Sequence, residues 1–215
     1  MKYYENKPQG YYENFRKEML KYLPKTAKKI LDIGCGNGAF ASAVKQKNNA
    51  EVWGIELMAE EAKVAVHELD YVFVGVCEKY IDGLPEHYFD AIYMNDVLEH
   101  LVDPYTVLET LKSKLAPNGV VISSIPNVRF FRTFSKVLFA KDWKYEGHGV
   151  MDKTHLRFFT GKSIKRMYQD LGYSIVTHEG INVTRSIKPI LFNILFLFTQ
   201  MDIRNVQYAT VASVK

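Results

Sequence analysis

The sequence predicts an α/β fold, a largely parallel sheet with helices on both faces. Short apolar runs of four to seven residues alternate with segments whose apolar positions recur at helical spacing, the rhythm of successive strand–helix–strand units. A glycine cluster directly follows the first apolar run and opens the first helical segment, as at the mouth of a parallel sheet. The chain has 215 residues, 47% of them hydrophobic, enough for one well-buried core and against global disorder.

Residues Tyr11 to Leu23 repeat apolar and aromatic positions at helical spacing and stop at Pro24. Lys29 to Ile33 reads as a buried strand, Gly38 to Lys47 as a helix, Glu51 to Glu56 as a second strand, Ala59 to Leu69 as a second helix and Tyr71 to Val76 as a third strand. Phe89 to Asn95 is a fourth strand. Asp103-Pro104 then starts a helix, with Asp as N-cap and Pro at the first helical position. That helix puts Val107, Leu108, Leu111 and Leu115 on one face and ends at Pro117-Asn118-Gly119, before a fifth strand over Val120 to Ile125. Thr160 caps a helix that runs through Leu171 and stops at Gly172. Tyr173 to His178 and Gln207 to Val214 read as a terminal hairpin added at one edge of the sheet. Between them lies an apolar excursion, within residues 186–202.

Composition excludes several classes. Lys and Arg exceed Asp and Glu by 28 to 24, a net charge of +4 without a dense basic run, so nucleic acid is not a favoured partner. Two cysteines, Cys35 and Cys77, are too few for a disulfide framework and too far apart for a metal knuckle. The polar first ten residues do not read as a signal peptide, and no apolar run approaches the ~20 residues of a membrane-spanning helix. The expectation is a single cytoplasmic domain.

The chemistry concentrates at Asp32-Ile33-Gly34-Cys35-Gly36-Asn37-Gly38. Glycines there permit a tight turn and close approach of a ligand to backbone, and the next helix offers free N–H groups. Glu56 closes the second strand about 20 residues on, where a carboxylate can accept hydrogen bonds from a ribose diol. Gly34, Gly36 and Ala39 also satisfy the loose dinucleotide fingerprint. Asp32, two residues before the first glycine, would repel a pyrophosphate and suits a cationic ligand terminus. The chain is also short for a dehydrogenase with a separate substrate domain.

Leu31 to Gly38 resembles the first motif of class I S-adenosylmethionine-dependent methyltransferases. Glu56 is similar to that family's ribose-binding acid, Asn95 to Leu101 to the segment after its fourth strand, and Leu115 to Gly119 to the turn before its fifth. The resemblance implies a Rossmann-like three-layer sandwich, with a mostly parallel seven-stranded sheet and an antiparallel C-terminal strand. It also implies S-adenosylmethionine as cofactor and S-adenosylhomocysteine as product. The implied cofactor positions are Asp32, Gly34, Cys35, Gly36, Glu56, Leu57, Asn95, Asp96 and His100. Many relatives carry Asp just after the third strand; this chain has Val76, which passes the adenine contact to Cys77 or Glu78. Tyr12 and Arg16, on an N-terminal lid over residues 1–24, are placed to reach the cofactor carboxylate or to close the site.

On the acceptor side, residues 127–159 are aromatic-rich and follow the fifth strand, which places them as a cap. Asp152 to Thr160 resembles a signature of bacterial methyltransferases associated with surface-polysaccharide and glycan biosynthesis. His148 and His155 are the candidate bases or acceptor ligands, with Phe130, Phe131, Phe158 and Phe159 as pocket walls; bracing the loop before Thr160 is the plainer role for His155. Asp96, Glu99 and His100 resemble the metal site of some O-methyltransferases of the class, including ubiquinone-pathway and small-RNA enzymes, but metal-independent relatives share Glu-His, and no metal is assigned. The apolar positions of Ile187 to Met201 run nearly all round a helix, which reads as a core or homodimer-interface helix; membrane-surface contact is the alternative. The combined expectation is methyl transfer, at oxygen, to a small-molecule or glycan-like acceptor. Its rivals are an NAD-dependent oxidoreductase and a catalytically inactive cofactor-binding module of the same fold.

Overall fold

The computed structural model describes residues 15–214. Its seven strands are β1 (Lys29–Ile33), β2 (Glu51–Glu56), β3 (Tyr71–Val74), β4 (Phe89–Asn95), β5 (Leu115–Pro126), β6 (Tyr173–Val183) and β7 (Asn205–Val214). They form one sheet in the order β3-β2-β1-β4-β5-β7-β6. Only β7 runs against the rest, pairing antiparallel with both β5 and β6. The expected α/β sandwich with one reversed C-terminal strand is therefore the observed fold.

Side-chain alternation along the strands explains the three layers. In β4, Ala91 and Tyr93 enter one apolar cluster and Ile92 and Met94 the other. The first cluster is covered by α1 (Ala39–Asn48), α2 (Ala59–Ala65) and an N-terminal 3-10 turn (Lys17–Tyr22), through Phe40, Val44, Ala65 and Met19. The second is covered by α3 (Glu78–Ile81), α4 (Pro104–Lys114) and α6 (Gly161–Asp170), through Ile81, Leu108 and Ile164. Both predicted caps form. Asp103 accepts hydrogen bonds from the N–H groups of Tyr105 and Thr106, and Thr160 exchanges bonds with Ser163 in a capping box.

Several boundaries depart from expectation for identifiable reasons. The N-terminal segment that reads as a helix is a 3-10 turn in its described part, while residues 11–14 and Tyr12 with them lie outside the described residues. Helix α2 ends at Ala65 because His67 and Glu68 bond back only three residues, turning Leu69 inward. Strand β3 stops at Val74: the Gly75 N–H makes the last ladder bond, to the Glu56 carbonyl, and Gly75 then leaves the strand conformation at φ 139°. Pro117-Asn118-Gly119 lies inside β5 as an irregularity, the register with β4 passing from Phe89↔Leu115 to Ala91↔Val120. Strand β6 continues five residues past His178 because β7, from Asn205, supplies a partner.

Two further segments leave the strands' carboxyl end. Residues after β5 form α5 (Phe131–Ser135) and a π-helical turn (Lys136–Ala140). Residues after β6 form α7 (Lys188–Ile194) and a 3-10 turn (Met201–Arg204). Of the two readings of 187–201, a core helix or a homodimer-interface helix, the core helix is not what forms. In α7 only Pro189 and Asn193 are buried, while Leu191, Ile194 and Leu195 face outward. The polar residue is the inward one because Asn193 ties the loop, donating to the Pro189 and Gln200 carbonyls and accepting from the Gln200 N–H.

Candidate functional site

The carboxyl ends of β1, β2 and β4 surround a hollow of about 890 Å³. Its floor is the turn between β1 and α1. Gly34, Gly36 and Gly38 all adopt left-handed φ values, 77°, 55° and 84°, which explains three glycines in five residues. The turn is sewn to β2: Gly34 N–H donates to the Ile55 carbonyl at 2.7 Å and Gly36 N–H to Glu56 Oε2 at 2.8 Å. Close packing makes it stiff. A Cβ on Gly34 would stand 2.6 Å from Val97 Cγ2, and a Cβ on Gly54 would stand 2.6 Å from Cys35 Sγ.

Asp32 and Glu56 line this hollow and are almost wholly buried. Burial, with the neighbouring Glu56 charge, pushes the Asp32 carboxyl up to about 8. Burial also raises Glu56, opposed by the N–H groups of Met58 and Gly36, which bond one carboxylate oxygen each at 2.8 Å. Two buried carboxyls in one cavity attract a cation and the hydroxyls of a sugar, and disfavour a diphosphate. Asn95, also on the lining, has a buried Oδ1 without a hydrogen-bond partner among the described residues. An acceptor atom so placed calls for a donor from a ligand or water.

Leu57, Cys77 and Glu78 line the β2–β3 side, with Gly75 and Val76. Cys77 precedes α3, and its thiol, pushed up to about 12 by burial, lies 3.4 Å from Glu78 Oε2. On the opposite side, Arg16 is buried and clamped: it meets Asp96 in an ion pair and donates to Glu18 at 2.9 Å and Gln207 at 3.0 Å. Its guanidinium thus closes the wall through protein partners. Asp96 holds this position at a positive φ of 54° and accepts a further bond from Gln207. Asn182 joins the network by donating to Gln207 at 2.7 Å. Gln207 and Asn182 have no sequence signature, because they arrive from β7 and β6 across the sheet.

The described His148 is exposed at the rim, whereas His155 is buried in the wall. His155 Nδ1 is 3.0 Å from the Val150 carbonyl and His100 Nδ1 is 3.0 Å from that of Thr154. A carbonyl only accepts, so each Nδ1 carries a proton. Glu99 completes the group. It is 1% exposed, and neither carboxylate oxygen has a hydrogen-bond partner among the described residues. Burial pushes it up to about 8, and His155 Nε2 stands 3.9 Å from Oε1. Ligand atoms of Glu99, His100 and His155 lie within 4.8 Å of one another, spacing that a divalent cation could bridge. The sequence grouped Asp96 with Glu99 and His100; the structure gives Asp96 to Arg16 and puts His155 in its place.

The aromatic walls expected around the acceptor are not there. Phe159 is packed in the core, pinned where its carbonyl accepts from the Val128 N–H. Phe158 meets Trp143 and Tyr145, and Phe131 meets Phe192. Of residues 127–159, those lining the hollow are His148, Gly149, Val150 and His155, on the limb returning toward α6.

A family model described as a methyltransferase domain matches residues 4–178. The ubiquinone biosynthesis O-methyltransferase of Histophilus somni (strain 2336) is 32% identical over 128 residues, covering 55% of this chain and 52% of that protein. The protein of the same name from Chromobacterium violaceum is 29% identical over 161 residues, covering 72% and 68%. The chain thus spans about half to two thirds of the length of these relatives, which are named for ubiquinone biosynthesis and not for surface polysaccharides. Among solved structures, a SAM dependent methyltransferase from Archaeoglobus fulgidus superposes with a TM-score of 0.70 at 19% identity, covering 94% of this chain and 93% of the other. Magnesium protoporphyrin IX methyltransferase from Synechocystis, with bound SAH, gives 0.63 at 14% identity, covering 96% and 84%.

Proposed function

This chain belongs to the methyltransferase-domain family, and from that premise we propose that it transfers a methyl group from S-adenosylmethionine to an oxygen of a small-molecule or glycan-like acceptor. The similarity to O-methyltransferases supports oxygen as the acceptor atom. The glycan preference is supported by the resemblance of Asp152 to Thr160 alone. A nicotinamide reaction loses its basis, since the family and the two buried carboxyls both speak for another cofactor.

The single observation that carries the reading is the buried Glu99–His155 pair on the wall of the same hollow as the glycine turn. Asp32 would face the cofactor's ammonium, Glu56 its ribose hydroxyls, and Asn95 Oδ1 one of its donors. The sulfonium supplies an electrophilic methyl carbon when bound. The protein's part is to align the acceptor oxygen, exclude water and remove a proton. His155, held as the Nδ1–H tautomer by the Val150 carbonyl, takes that proton at Nε2, and the nearby Glu99 carboxyl steadies the imidazolium. His148 at the rim contacts the acceptor.

The test is release of S-adenosylhomocysteine with a panel of phenolic, small hydroxylated and glycan acceptors. Once an acceptor is found, His155→Ala lowers kcat by roughly 10²–10⁴-fold with unchanged S-adenosylhomocysteine affinity. Undiminished turnover removes His155 as base. A second reading, favoured by the convergence of Glu99, His100 and His155, has these three holding a divalent cation that positions the acceptor oxygen. Activity indifferent to EDTA and to added Mg²⁺ or Zn²⁺ rules that out.

A further inference from the structure

The two most exposed large apolar side chains among the described residues, Leu197 and Leu195, belong to a cluster away from the hollow. Phe139 is 66% exposed, Ile187 67%, Leu195 81% and Leu197 85%, with Leu138 and Leu191 about half exposed. They come from the two segments that follow β5 and β6, which pack on each other around Phe192. That ring lies 5.6 Å from Phe131, 6.3 Å from Phe139 and 5.1 Å from Phe196. Phe192 thus serves as the inner anchor, leaving the leucines and Phe139 outside. Scattered apolar residues need no explanation, but a cluster fed by two separate segments does.

Charge singles out the occupant. Residues 129–146 and 185–204 hold eight Lys and Arg against three Asp and Glu; the rest of the chain holds 20 against 21. The chain's entire positive excess therefore sits on the two segments that carry the apolar cluster. Arg129 is neutralised by Asp202, and Arg132 and Lys136 share Glu146. Lys141, Lys144, Arg185 and Lys188 have no ion pair among the described residues. Arg132 and Lys188 also line a second hollow of about 310 Å³ beside the cluster, together with Phe130, Phe131 and Pro189. Trp143 and Tyr145, each 45% exposed, add rings of the kind that settle at headgroup depth. A protein partner of ordinary composition accounts for the leucines alone. Apolar tips on segments that also carry cations without an ion pair match an anionic bilayer, with acyl chains beneath a layer of phosphates.

Topology orients the contact. Strands β5 and β6 run the same way, so the two segments leave the sheet at its carboxyl end, which is also where the cofactor hollow opens. We propose that this protrusion docks the protein reversibly on membranes rich in anionic phospholipid, with Leu195 and Leu197 inserted and Lys141, Lys144, Arg185 and Lys188 at the phosphates. The proposal is independent of the methyl acceptor, and no helix of the described residues is long and apolar enough to span a bilayer.

Co-sedimentation of the full chain tests it, using vesicles of phosphatidylcholine alone and of phosphatidylcholine with phosphatidylglycerol. Binding is expected to the anionic vesicles and to weaken at high salt. Leu195→Ser/Leu197→Ser should lower the partition coefficient by at least about tenfold, and Lys141→Glu and Lys144→Glu by about fivefold or more for each charge. Unchanged S-adenosylhomocysteine binding by each variant shows that the fold is intact. The idea is overturned if the chain stays in the supernatant with both vesicle types, or if neither variant set weakens binding. It is equally overturned if the protein is a dimer in solution that Leu195→Ser/Leu197→Ser dissociates, since the face would then belong to a second copy.

Discussion

Gly34→Ala puts the glycine turn to a quantitative test. At φ 77°, an L-residue pays roughly 1–2 kcal/mol for the left-handed conformation. The new methyl would also stand 2.6 Å from Val97 Cγ2, well inside the 3.4–4 Å of ordinary contact. Val97 is itself buried and cannot simply swing away. Overpacking of this kind costs about 1–3 kcal/mol. The expected loss is therefore about 2–5 kcal/mol in denaturant unfolding, with weakened S-adenosylhomocysteine binding by calorimetry, because any relief must move the floor of the hollow. Val97→Ala removes the obstructing methyl. In Gly34→Ala/Val97→Ala the steric part should vanish and the backbone part remain, so the double variant should be more stable than the sum of the single losses by about 1–3 kcal/mol. Strict additivity, or a Gly34→Ala protein within about 0.5 kcal/mol of the parent, would show that the turn is not constrained as described.

Other outcomes follow from the buried acids. Asp32 has its folded value raised to about 8 from an ordinary 3.8, so the folded state retains a proton that the unfolded chain releases. Its contribution is fully present below about pH 4 and is lost as pH climbs through about 8. The stability of the ligand-free parent should therefore fall relative to Asp32→Asn over that window, by at most about 1.4 kcal/mol per pH unit; parallel pH profiles in thermal unfolding would refute this. Glu56→Gln keeps the shape but turns an amide NH₂ toward one of the two N–H groups, of Gly36 or Met58, that the carboxylate now accepts. Loss of about 1–3 kcal/mol in stability is expected, with S-adenosylhomocysteine affinity reduced about 10–100-fold, both measurable by calorimetry. Unaltered affinity would remove Glu56 from the ligand's contacts.

Features encoded within one stretch of chain were legible from the amino acids. The alternation of apolar runs sets which residues can be strands. The three glycines mark a turn that only left-handed backbone can make, and Asp103 and Thr160 start helices because their oxygens satisfy N–H groups two or three residues away. Even Glu56 was accessible, since a strand–helix–strand unit brings the end of β2 beside the turn after β1. What needed the tertiary structure was every meeting between segments distant in sequence. Glu99 faces His155 only because the return limb from β5 packs on the turn after β4. Arg16 reaches Asp96 and Gln207 only because β7 lies beside β5. The same limit explains the misplaced aromatics and the apolar excursion: periodicity reports how apolar a helix face is, but whether that face lies on protein or outside it is decided by what the sheet places opposite. Local conformation is set by neighbours a few bonds away, whereas a site is set by which strand ends the topology gathers at one edge.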